Sequence, residues 1–72
     1  MNNKIELGYD LMGKKIHIVT TDGKEIKCIV DEFVEGANSD RYPIPYVLIK
    51  TMNNQHSFIY ADEIECVEIL DN

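Results

Sequence analysis

The sequence predicts an all-β domain, a small five-stranded sheet bent strongly enough to curl into a barrel. Three observations carry that expectation. Apolar residues recur with period two in five short runs. Turn-forming residues separate the runs: Gly13, Asp22-Gly23, the stretch Gly36 to Pro45, and Asn53-Asn54. The chain has 72 residues, 44% of them hydrophobic, which supports one domain (1–72) with a small core. A flat sheet of that size would leave one face wet, whereas a curled one encloses its apolar side chains.

The first dozen residues admit two readings. Within the N-terminal segment 1–10 and just beyond it, Ile5, Tyr9 and Met12 fall at helical spacing, with Asn3 placed to cap and Glu6 three residues later. Gly8 weakens such a helix by about 1 kcal/mol relative to Ala, so a short leading strand is the alternative. The first clear strand puts Ile16, Ile18 and Thr20 on one face and His17, Val19 and Thr21 on the other. Thr21-Asp22-Gly23-Lys24 then reads as a hairpin, because Asp-Gly favours turns that need positive φ. From Glu25 to Val34, Ile26, Cys28, Val30 and Val34 share one face, with Ile29 and Phe33 opposite. Apolar residues on both faces describe a strand that curves, each face being covered somewhere along its length.

Residues 36–45 form an irregular loop, since Pro43 and Pro45 cannot donate to a ladder. Tyr46 to Lys50 is a third strand, and Asn53-Asn54 turns the chain into Ser57-Phe58-Ile59-Tyr60. Ala61-Asp62-Glu63 makes a brief corner before a fifth strand, Ile64 to Leu70, with Val67 and Ile69 on one face. The natural closure for five such strands is a barrel of the SH3-like or OB-like kind.

Thirteen acidic residues against seven basic ones give a net charge of −6. That balance argues against a general nucleic-acid or anionic-membrane binder, because counterion release needs clustered Lys and Arg. Neither a signal-peptide pattern nor a membrane-length apolar run is present, so a cytoplasmic protein is expected. Cys28 and Cys66 sit among apolar strand residues and read as reduced thiols; a bridge between them requires adjacent strands.

Catalytic signatures are missing: there is no glycine-rich phosphate loop, no triad spacing and no close Cys or His pair for zinc. No enzyme activity, cofactor or metal is therefore expected. Asp62, Glu63, Glu65 and Glu68 lack a calcium-loop glycine and read as a solvated acidic edge. Tyr9, Phe33, Tyr42, Tyr46, Phe58 and Tyr60 could stack on bases only inside a basic groove. Lys14, Lys15, Lys24 and Lys27 gather at the first hairpin, where lysines commonly solubilise.

Leu11-Met12-Gly13-Lys14-Lys15-Ile16-His17-Ile18-Val19-Thr20-Thr21-Asp22-Gly23 resembles the opening of an Sm-like domain, Leu-x-Gly-Lys followed by alternating hydrophobics and a turn glycine. Val30, Phe33 and Asn38 then fall, without a gap, where that family's first motif has an apolar residue, an aromatic and an asparagine. Ile59, Ile64 and Val67 match its second motif, so the resemblance runs from about Leu11 to Leu70. It implies an SH3-like/Sm-like barrel with a long bent second strand. It also implies ring assembly, the fourth strand of one subunit pairing with the fifth of the next.

The departures bear on the ligand. Val34 stands where the family has the aspartate that orients its asparagine. Tyr60-Ala61 replaces Arg-Gly of the eukaryotic and archaeal motif, and Tyr60-Ala61-Asp62 replaces Tyr-Lys-His of the bacterial RNA-chaperone version. Asp62 and Glu63 thus put negative charge where relatives of that kind bind phosphate. The residues left for RNA are Asn38, Tyr60, Lys24 and Lys27; those for an oligomer interface are Phe58, Tyr60, Val67 and Ile69. The expectation is a non-enzymatic binding or assembly module whose partner is a protein or a second copy. An RNA-associated module with a reshaped site is the alternative, disfavoured by the acidity.

Overall fold

Alternating burial along five runs of sequence produces five strands: β1 (Lys15–Thr20), β2 (Glu25–Val34), β3 (Tyr46–Thr51), β4 (His56–Tyr60) and β5 (Ile64–Ile69). The computed structural model describes residues 7–70, and there the strands form one antiparallel sheet in the order β4-β3-β2-β1-β5.

Two hairpins of the same design set the register. In the first, the Thr20 and Gly23 amides donate to the carbonyls of Lys24 and Thr20, and Gly23 has φ +93°. In the second, the Thr51 and Asn54 amides donate to Gln55 and Thr51 carbonyls, and Asn54 has φ +65°. Each is a three-residue loop that ends in a left-handed residue, a conformation that only Gly and Asn adopt readily. A threonine hydroxyl fixes each one further, accepting from the Lys24 amide at Thr20 and from the Gln55 amide at Thr51.

The ten residues of β2 serve two partners. Glu25 to Ile29 pair with β1, and Cys28 to Val34 pair with β3. Between Val30 and Glu32 the register slips by one residue, a bulge at Asp31. The bulge reverses the alternation, because one extra residue exchanges the two faces. Cys28 and Val30 point into the core, and beyond the bulge Phe33, not Val34, does so. The sequence reading put Val34 on that face and Phe33 opposite; the inserted residue inverts both.

The concave side holds Leu11, Ile16, Ile18, Cys28, Val30, Phe33, Val47, Ile49, Ile59 and Val67, with Leu7, Ile26 and Ile64 packed at its margin. Leu11 enters from a single 3-10 turn, Tyr9–Leu11, and is fully buried. No α-helix occurs among the described residues, and Asn3, Ile5 and Glu6 lie outside them. Gly8 is extended (φ −170°) and Gly13 is left-handed (φ +81°), leaving too few residues between them for an α-helix.

The expected barrel is not closed: β4 and β5 are the two edges of the sheet and do not pair with each other. The corner explains this. Tyr60 and Ile64 are both extended (ψ 151° and 124°), and the 3-10 turn Ala61–Glu63 between them carries no positive-φ residue. The chain therefore changes direction without doubling back, leaving β3 at Tyr60 and joining β1 at Ile64.

The bulge makes a direct prediction. Phe33→Ala costs about 3–5 kcal/mol in urea unfolding, Phe33→Leu about 1 kcal/mol, and Val34→Ala less than either. A larger loss at Val34 than at Phe33 would contradict the assigned faces.

Candidate functional site: the aromatic corner and two open strand edges

Loop 36–45 lacks a ladder of its own, so its polar groups find partners on the corner. Gly36 lies so close to the Pro43 carbonyl that a Cβ there would collide with backbone, which pins the two ends of the loop together. The Tyr60 hydroxyl donates to Asp40 (2.6 Å). The Arg41 guanidinium lies 4.4 Å from the Tyr60 ring centroid, and its Nη2 donates to Asp62 (3.1 Å). From the corner itself, the Tyr60 amide donates to Glu63 (3.2 Å) and the Ala61 amide to the Pro45 carbonyl (2.8 Å).

Tyr60 is accordingly nearly buried, and its hydrogen bond to Asp40 is the main cause pushing its phenol up to about 12. On the outer face beside it, Tyr46 and Phe58 complete a group of three rings with centroids 5.1–5.9 Å apart. Phe58 is 52% exposed.

A strand edge is a row of unpaired amides and carbonyls, ready to accept another strand. Here β4 and β5 both present such rows. Their charges differ. β4 carries His56, opposite Lys50 of β3, whereas β5 carries Glu65 and Glu68.

The residues proposed for RNA are dispersed. Asn38 is exposed at the end of the 3-10 turn Gly36–Asn38. Lys24 lies at the first hairpin, lining a cleft of about 360 Å³ with Thr20, Thr21, Asp22, Ile26, Ile59 and Glu63. Lys27 is mid-strand opposite His17 of β1. Only Asn38 and Tyr60 belong to the joined loop and corner, and Tyr60 already holds Arg41 on its ring. Of the interface candidates, Phe58 and Ile69 (37%) are exposed, whereas Tyr60 (8%) and Val67 (1%) are enclosed within the chain.

Two polar groupings escaped the sequence reading. Asp40 and Arg41 dock on Tyr60 across about twenty residues of chain, which no local spacing reveals. His17 lies on the outer face between two carboxylates that its own strand does not reveal, Glu25 (Nε2, 3.0 Å) and Glu68 (Nδ1, 3.9 Å). Alternation in β1 put it opposite Ile16 and Ile18, which was the available signal. Cys28 and Cys66 are both free thiols, on strands separated by β1, and burial pushes the Cys28 thiol up to about 11. Among the described residues, no three His, Cys, Asp or Glu side chains are placed to hold a metal ion.

No family model, curated protein or solved structure matches the chain.

The Tyr60 geometry is testable by titration. An unfolded tyrosine ionises near 10, so the stability from the Tyr60–Asp40 bond is intact below that pH and is lost as pH rises through 12. Asp40→Asn removes the adjacent charge and moves the Tyr60 midpoint down toward 10, read by NMR of the labelled ring. An unchanged midpoint would contradict the assigned bond.

Proposed function

We propose that the chain is a non-enzymatic, Sm-like assembly module that joins copies of itself by strand addition, β4 of one copy against β5 of the next. The single observation that carries this reading is the pair of unpaired edges at opposite ends of one bent sheet. Exposed apolar side chains, Phe58 and Ile69, accompany them. Charge supports the pairing of unlike edges. Two β5 strands together would oppose Glu65 and Glu68 with more carboxylates, whereas β4 offers His56 beside Lys50. Such a head-to-tail contact closes into a ring or runs on as a filament, according to its rotation. A long bent second strand and free fourth and fifth strands are also features that the family resemblance implies.

Net charge opposes assembly. Each copy carries −6, so copies repel until salt screens them. Light scattering on a sizing column is expected to give a multiple of 8.3 kDa that grows from about 20 mM to about 500 mM salt. Ile69→Lys, at the β5 edge, is expected to give a monomer under the same conditions. A wild-type monomer at every salt and protein concentration would overturn the proposal.

The RNA reading has less support, since Lys24 and Lys27 stand apart from Tyr60 and the Tyr60 ring is covered by Arg41. Labelled oligo-U and oligo-A are expected to bind weakly or not at all across that salt series. Submicromolar binding with a steep salt slope would reverse the order of the two readings.

A further inference from the structure

Strand alternation on β3 and β4 sends one set of side chains inward and leaves the other set as a face of its own. Tyr46 stands opposite Tyr60 on that outer face, and Leu48 opposite Phe58. β2 continues the same rows with Val34 beside Tyr46 and Glu32 beside Leu48. The result is an aromatic patch with Glu32 at its far side, presented by side chains on the sheet face and not by the backbone groups of the β4 edge.

The molecule already shows how this patch holds a cation. Arg41 places its guanidinium 4.4 Å from the Tyr60 centroid while Asp62 takes its Nη2 at 3.1 Å, a ring face and a carboxylate acting together. Phe58 adjoins Tyr60 at 5.5 Å, edge to face, and is 52% exposed. Glu32 lies in the same row beyond Leu48, and the carboxylate of Asp31, at the bulge, reaches His56 two residues from Phe58. The basic side chains in the next pair along these strands are Lys50 and His56, and His56 Nδ1 is 3.5 Å from Asp31. With a chain charge of −6, a positively charged visitor is favoured over an acidic one.

We infer that the outer face of β3 and β4 receives an arginine or lysine side chain from an extended, basic segment of another protein, its cation over Phe58 as Arg41 is over Tyr60. An exposed ring face, with the Asp31 carboxylate on the same side of the sheet at His56, suits such a group by cation–π attraction supported by charge attraction. The inference goes beyond the assembly reading and does not require it, because it concerns a face and not the strand edges.

Fluorescence anisotropy with labelled nine-residue peptides tests it on the full chain. A peptide alternating Arg and Thr is expected to bind. The same peptide with citrulline for Arg is expected to bind at least about tenfold more weakly. Phe58→Ala and Phe58→Leu are each expected to weaken the Arg peptide about tenfold, and Phe58→Tyr to retain it. Phe58→Leu keeps an apolar side chain and removes the ring face, so it separates cation–π attraction from simple apolar cover. Circular dichroism confirms that each variant folds. Asp22→Asn, at the distant first hairpin, is expected to leave the affinity unchanged within about twofold, since exposed remote charges are screened. No binding of the Arg peptide, binding by Phe58→Ala and Phe58→Leu equal to wild type, or capture of oligo-U on this face in its place would each overturn the inference. Light scattering on the same samples reads assembly separately, so failure of one proposal is distinguishable from failure of the other.

Discussion

The bend of β2 is the constraint on which the rest of the structure depends. One strand of ten residues must pair with β1 along its first half and with β3 along its second. The bulge at Asp31 reconciles the two pairings by adding a residue where the strand turns. Without that residue Val34 would face inward, and Phe33, one of the two largest side chains of the core, would stand in solvent. The same bend folds the sheet over its own concave face, so ten buried residues suffice for a core.

The corner shows how the sequence uses polar residues where it has few apolar ones to spend. Three residues link β4 to β5, and the loop 36–45 is laid against them by Asp40 and Arg41. The Arg41–Asp62 pair is half-exposed and by itself contributes little, on the order of 0–1 kcal/mol. The Tyr60 hydroxyl bond and the stacked guanidinium act with it, so the loop is held by several weak interactions at one point. The acidic residues of the corner thereby have a structural role. Asp62 holds the arginine and Glu63 holds the Tyr60 amide.

Much of this was legible in the sequence, for physical reasons. Period-two alternation located all five strands, and the Gly and Asn residues with positive φ marked both hairpins. Ile16, Ile18 and Thr20 face inward as alternation requires. The exceptions have identifiable causes. A bulge leaves no local mark in a run such as Val30-Asp31-Glu32-Phe33-Val34, so the phase was carried through unchanged. Leu11 enters the core from a single 3-10 turn, which is too short to show periodicity. The open edge depends on the direction the chain takes at Ala61–Glu63, and composition does not encode direction. Of the candidate site residues, alternation put Val67 and Ile69 on one face, yet only Val67 is buried because Ile69 ends its strand, and the enclosure of Tyr60 depends on a loop twenty residues away in sequence.

The central claim is that the two free edges of this sheet satisfy one another between copies. Amide hydrogen exchange, followed residue by residue as protein concentration rises, reads those edges directly. Strand addition predicts that amides of His56–Tyr60 and Ile64–Ile69 slow with concentration, while those of β2, already paired on both sides, stay constant. Edge amides that exchange at the same rate at every concentration would contradict it.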